Sequence, residues 1–150
     1  MFGHRYNNVQ LIADQFAENG YYTIVPDLFH GDALPFPVPQ GLDVMKWLQG
    51  KSGGGEGEGH LVPRVEPVVK TALKWLREEK GIKKIGSVGY CFGAKYTVRS
   101  MAKGEGIDVG YVAHPSFVDE EELQKIEGPL SISAAGKPFT VLKDFFPALY

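Results

Sequence analysis

The sequence predicts an α/β fold: a mostly parallel sheet flanked by helices on both faces. Three observations predict it. Short runs rich in β-branched and aromatic residues alternate with helical segments along 150 residues, the order expected of βαβ units. The composition is 43% hydrophobic and 23% charged, enough to bury a single core and unlike a disordered chain. One pentapeptide, Gly89-Tyr90-Cys91-Phe92-Gly93, falls where a strand pattern gives way to a helical one.

From the N-terminus, Asn7 or Asn8 is placed to cap a helix whose Val9, Ile12, Ala13 and Phe16 recur at helical spacing, with Asn19-Gly20 as its stop. Tyr21 to Val25 is a compact β-branched and aromatic run ended by Pro26-Asp27, and it predicts a strand. Residues 26–41 carry Pro26, Pro35, Pro37 and Pro39 and predict a long irregular loop, a segment that in a compact domain is functional or mobile. A short helix follows around Leu42 to Leu48. Gly50 to Gly59 is a low-complexity run of small and acidic residues and predicts a surface excursion. Gly50-Lys51-Ser52 repeats the end of a G-x-x-x-x-G-K-[ST] phosphate loop. Met45 stands where the first glycine belongs and no strand precedes it, so that reading is discarded.

The strongest helix spans about Arg64 to Lys80. Val65, Val68, Val69, Ala72, Leu73 and Leu76 share one face, Pro67 is expected in the first turn, and Gly81 closes the segment. Lys84 to Gly89 predicts a buried strand, Cys91 to about Lys103 a helix, and Val109 to Ala113 a strand. Asp119 to Ile126 predicts a short acidic helix and Leu130 to Ala134 a last strand. In parallel sheets, ligands sit beyond the carboxyl ends of the strands. Pro26 onward, Gly89 to Gly93, and His114 onward are the segments expected there.

Charge and cysteine usage narrow the function. Sixteen Lys+Arg against 18 Asp+Glu give a formal net charge of -2, which supplies no basic field for nucleic acid and no polybasic membrane patch. A single cysteine excludes an internal disulfide framework and a thiolate zinc cluster. No run of about 18 apolar residues predicts a membrane span. The opening MFGHRYNN has neither the basic flank nor the apolar run of a signal peptide, so a cytoplasmic location is expected.

The pentapeptide carries the chemistry. Gly89-Tyr90-Cys91-Phe92-Gly93 has the G-x-nucleophile-x-G form of a nucleophile elbow, with Cys in the place where Ser is commoner. A sharp strand-to-helix turn crowds the nucleophile's backbone, so its close neighbours are expected to be small. The turn lifts the sulfur above the sheet edge and sets it at a helix N-terminus, where N–H groups and the dipole favour a thiolate. The Phe92 backbone N–H is then one oxyanion donor. The competing reading of Cys91 is a buried core cysteine.

A thiol nucleophile works with a base, and the histidines are His4, His30, His60 and His114. Only His114 follows Cys91. It ends the strand Val109 to Ala113 and reads either as a base or as a polar loop residue. His30, in Phe29-His30-Gly31-Asp32, is placed to contact substrate or simply to make a turn. His60 borders the glycine tract and is expected in solvent. Lys95, four residues after Cys91, projects from the same helix, with a solvated charge as the expectation.

Pro26-Asp27-Leu28-Phe29-His30-Gly31-Asp32, Gly89-Tyr90-Cys91-Phe92-Gly93-Ala94-Lys95 and Ala113-His114-Pro115-Ser116-Phe117 together resemble the dienelactone hydrolase family, in its fungal-type branch. The resemblance covers residues 2–135. It implies a partial α/β-hydrolase fold and a Cys-Asp-His triad that hydrolyses ester or lactone bonds of a small molecule, with no cofactor and no metal. By position, Cys91 matches the family nucleophile and Phe92 a backbone oxyanion donor. Phe2-Gly3 match the end of an I-F-G-like segment, which puts the other donor at or beside Met1. After residue 135 the family has an aspartate-bearing loop and an H-G-F-type segment with its histidine. Here Gly136-Lys137-Pro138-Phe139 follow, and Asp144 is the only side-chain carboxylate of the tail. The chain is therefore expected to be a dienelactone hydrolase-like domain over 1–135, truncated at both ends, with an unmatched tail over 136–150. The function classes left open are a cysteine hydrolase and a non-catalytic binding module or pseudoenzyme on the same scaffold. A thiol redox sensor is the third.

Overall fold

In a computed structural model, which describes residues 1–51 and 59–135, the chain divides by its internal contacts into two units, Met1–Ala72 and Leu73–Tyr150. The expected tail 136–150, with Asp144, and most of the glycine tract lie outside the described residues.

The first unit opens with α1 (Asn7–Glu18). Its N-cap is Tyr6, which has no side-chain oxygen in reach of the first turn; Asn7 and Asn8 lie one and two positions too far along and are already helical. The C-terminus behaves as the sequence predicts. Gly20 takes φ +89°, its N–H bonds to Ala17 C=O at 2.9 Å, and Tyr21 N–H reaches Phe16 C=O at 3.2 Å. The Phe16 and Tyr21 rings then meet at 6.1 Å, the apolar contact that accompanies this cap. Tyr21 to Val25 is not a strand. The run joins no ladder among the described residues, and Tyr21, Tyr22 and Val25 are exposed; strand composition counts only where a neighbouring strand accepts the bonds.

Beyond it, the Pro-rich segment is irregular, and Asp27 braces its first turn by accepting N–H bonds from Phe29 (3.2 Å) and Gly31 (2.8 Å). Burial raises the Asp27 pKa, but the Phe29 N–H, His4 and the Gly31 N–H together outweigh it and leave it below its usual value. Helix α2 (Val44–Leu48) is capped by Asp43, whose carboxylate accepts from Met45 and Lys46 N–H at 3.0 Å each. His60 is buried rather than solvated, at 3% exposure. Gly59 causes this: at φ +60° it lies so close to the backbone of Leu48 to Gly50 that no side chain would fit. The chain turns back, and His60 packs on Trp47 (4.3 Å between rings) and Phe29 (5.3 Å) while its Nε2 pairs with Asp32 at 2.9 Å.

Helix α3 (Val62–Glu78) runs from the first unit into the second and ends before Gly81, at φ +65°. Because it starts at Val62, Pro67 falls in its second turn, not its first, and removes the N–H that would meet the Pro63 carbonyl.

The second unit is built on three parallel strands in sequence order, β1 (Gly86–Tyr90), β2 (Val109–Ala113) and β3 (Leu130–Ser133). Their registers place Tyr90 beside Ala113 and Ala113 beside Ser133, so all three end together. Helix α4 (Phe92–Ser100) follows β1 and packs on β1 and β2, and α5 (Glu120–Gln124) packs on α4. Ala94, Val98, Val112, Val118 and Leu123 form the core beneath them, with Ile126, Leu130 and Ile132 at its margin. On the other face, Val88, Tyr90 and Val109 are exposed. Among the described residues no helix is long and apolar enough to cross a membrane.

Asp108, just before β2, ties this unit's lower edge. Its carboxylate accepts from Ile85 N–H and Arg77 Nη2 and pairs with Lys84 Nζ. The Ile85 N–H first, then Arg77 and Lys84, hold it well below the usual carboxylate range. A carboxyl whose pKa is lower in the folded than in the unfolded state stabilises the fold above its unfolded pKa. That share is lost as the pH falls from about 4 toward the folded value. Between about pH 5 and pH 3 the unfolding midpoint should fall more steeply in the native chain than in Asp108→Asn. Equal slopes would remove Asp108 from the acid sensitivity.

Candidate active site

The end of β1 and the start of α4 meet at one residue. Cys91 is the N-cap of α4, with φ 50° and ψ −113°, a conformation that a non-glycine residue holds only under strain. Its neighbours impose it. The Cys91 N–H donates to Ala113 C=O at 3.1 Å, extending the β1–β2 ladder by one step. Its carbonyl accepts from Ala94 N–H and Ser116 N–H, both at 3.2 Å. Phe92, buried, is the first helical residue after the turn.

The two glycines of the pentapeptide differ. A Cβ on Gly89 would lie 2.6 Å from Thr97 Oγ1, 2.7 Å from Ala94 Cα and 2.8 Å from Gly93 O, so α4 can pack this tightly only over a glycine. A Cβ on Gly93 would meet nothing within 4 Å. The expectation of small neighbours on both sides thus holds for Gly89, while space makes no demand at Gly93.

A second strained segment lies beside the first. Past the end of β2, His114 (φ 38°) and Phe117 (φ 61°) are both left-handed, and they flank Pro115 and Ser116. His114 N–H is anchored to Ser133 C=O at 2.8 Å. The turn brings Ser116 Oγ to 3.4 Å from Cys91 Sγ, within hydrogen-bonding range for sulfur. The His114 ring is exposed, lies 6.3 Å from the Tyr90 ring, and makes no hydrogen bond to Cys91 among the described residues. Tyr90 in turn faces Tyr111, and burial, with that second phenol, holds its own hydroxyl above the usual tyrosine range.

Lys95 is not a solvated charge. Its side chain is 11% exposed, and its ammonium donates to Phe117 C=O at 2.6 Å, Asp119 at 2.8 Å and Glu122 at 2.9 Å. Glu122, itself buried, also takes Arg99 Nη1 at 2.7 Å, and its other oxygen accepts Asp119 N–H at 3.0 Å. One cluster centred on Lys95 and the buried Glu122 therefore joins α4, α5 and the carbonyl that closes the 114–117 turn.

Sequence reasoning placed Cys91, Phe92 and His114 at the ends of β1 and β2, where they lie. It overlooked Ser116 and the pairing of Lys95, contacts between residues more than twenty positions apart. Lys95 and Arg99, one turn apart on α4, together with the later acidic run Asp119-Glu120-Glu121-Glu122, were the available signal. His30 belongs to the first unit, exposed and left-handed at φ 52° in the turn braced by Asp27. Met1 and Phe2 belong to that unit as well, Met1 C=O accepting from Leu34 N–H at 3.1 Å. Among the described residues no three His, Cys, Asp or Glu side chains gather as a metal site would need.

The model of the dienelactone hydrolase family matches residues 1–148. Similar proteins include hydrolase tropI of Talaromyces stipitatus, 51% identical over 97% of this chain and 55% of its own length. Hydrolase pyvD of Aspergillus violaceofuscus is 47% identical over 91% of this chain and 52% of its own. Dienlactone hydrolase 1 of Gibberella moniliformis is 32% identical over 84% and 48%. The chain thus spans about half the length of the curated relatives it matches. No solved structure matches it.

Proposed function

This chain belongs to the dienelactone hydrolase family, whose fold is the α/β hydrolase, and from that premise we propose that Cys91 is the nucleophile of a centre acting on ester or lactone bonds of a small molecule. The observation that carries the reading is the strained backbone of Cys91 between β1 and α4, φ 50° and ψ −113°, at the carboxyl edge of a parallel sheet.

The chemistry follows from that position. The Cys91 sulfur, as thiolate, attacks the carbonyl carbon, and the C=O electron pair moves onto oxygen. Phe92, at the first position of α4, offers its N–H to that oxyanion. Collapse of the tetrahedral species breaks the C–O bond and leaves a thioester on Cys91, while the departing alkoxide, free or still tethered as the opened lactone, takes a proton from solvent water. Water then hydrolyses it. His114 is assigned to the turn rather than to proton transfer; what supports this is its ring lying against Tyr90 without a bond to the sulfur. His30 is assigned to the first unit's turn.

The test is single-turnover acylation by p-nitrophenyl acetate, followed by nitrophenol release and by the mass of the intact chain. The native chain should take up one acetyl group on Cys91, and Cys91→Ala should lower nitrophenol release by a factor on the order of 10³. Acetylation elsewhere, or undiminished release from Cys91→Ala, would reject the nucleophile. Fast iodoacetamide labelling without any acyl adduct would favour the binding or redox classes.

A further inference from the structure

We propose that Ser116 is a positioning residue for the Cys91 sulfur. The inference rests on the proposed nucleophile and deepens it. Three of the four non-glycine residues with positive φ among the described residues, Cys91, His114 and Phe117, surround this one contact. Backbone strain persists only where the surroundings over-determine it, and three anchors do so here. The turn is fixed at His114 by Ser133 C=O, at Ser116 by Cys91 C=O, and at Phe117 by the Lys95 ammonium. What these anchors accomplish is to hold one hydroxyl 3.4 Å from one sulfur.

The chemistry gives the hydroxyl a use. A cysteine at an N-cap can swing about its Cα–Cβ bond among staggered rotamers. The Ser116 hydroxyl selects the rotamer that faces it. When the sulfur carries negative charge the same hydroxyl donates to it, a charge-assisted bond stronger than a neutral one. Ser116 forms no bond to the reacting carbonyl and acts through Cys91.

The experiment measures iodoacetamide alkylation of Cys91 in the native chain and in Ser116→Ala, Ser116→Val and Ser116→Thr, with circular dichroism as the folding control. Loss of the hydroxyl should slow alkylation roughly 3- to 10-fold in the Ala and Val variants. Thr, the isostere of Val that keeps the hydroxyl, should stay within about twofold of the native rate. Alkylation involves no carbonyl, so it reads Ser116 even if no ester is hydrolysed, and the failure of one proposal is separable from that of the other. Where acylation does occur, its rate should fall in Ser116→Ala with the apparent affinity for the ester unchanged. Proximity is tested separately by Ser116→Cys, which diamide oxidation should join to Cys91 within one chain, at a mass lower by two hydrogens. Native rates in the Ala and Val variants would overturn the proposal, as would slowing in Thr equal to that in Val or the absence of the crosslink.

Discussion

Gly89→Ala is expected to destabilise the second unit by about 3 kcal/mol, while Gly93→Ala is neutral or mildly stabilising. The two glycines look equivalent in the pentapeptide, and the geometry separates them. A methyl group on Gly89 would press on Ala94 Cα and Gly93 O, backbone atoms of α4 that cannot rotate away as a side chain can, and on Thr97 Oγ1, which is already bonded to Ser87 at 2.7 Å. Relief requires α4 to lift off β1. Ala94 and Val98 leave the core with it, and the Cys91 backbone loses its bonds to Ala113, Ala94 and Ser116. At Gly93 a methyl group enters open space, and within a helix alanine is favoured over glycine by about 0.5–1 kcal/mol. Urea midpoints of the two variants should therefore move in opposite directions. Iodoacetamide should report the same split, since only Gly89→Ala disturbs the turn that presents the sulfur. Equal midpoints would mean that the tight fit of α4 on β1 is not what places a glycine at position 89.

The same contrast explains how far the sequence could be read. Local signals were reliable where a local cause sets the structure: the Gly20 cap and the limits of β2 fall where the residues predict. The elbow belongs to this class, because a strand, a turn and a helix within ten residues leave a compact pattern. The misreadings share the opposite cause. Tyr21 to Val25 has strand composition, yet a strand is a property of two segments, and no described partner supplies its ladder. His60 looked solvated beside a polar glycine tract, and only the close fit of Gly59 on the backbone of Leu48 to Gly50 turns it onto Trp47. Ser116 and Lys95 find their partners 22 to 27 positions away, at distances no periodicity encodes. The strand-to-helix turn that bears Cys91 was therefore legible, and the residues that hold it were not.

Lys95→Met should lower stability by about 3 kcal/mol, at the lower end of the range for breaking a buried ion pair. Methionine keeps most of the length and the apolar stem, so packing changes little, and the loss is that of the ammonium. Three acceptors lose their partner. Asp119 is largely exposed, and water replaces the contact at a cost of no more than about 1 kcal/mol. Glu122 is buried and retains Arg99, which holds the expected value to the lower end of the range. Phe117 C=O loses the donor that closes the left-handed turn, so the effect reaches the site as well as the fold. The 114–117 segment should loosen, and Cys91 alkylation should slow in the direction of Ser116→Ala. Combining Lys95→Met with Glu122→Leu distinguishes the pair from its surroundings. If the buried charges act on each other, the double variant should be less destabilised than the sum of the singles, by roughly 1–2 kcal/mol. Strict additivity, or a Lys95→Met chain with the native urea midpoint, would show that core packing of Val118 and of Leu123 in α5, rather than charge, holds the turn.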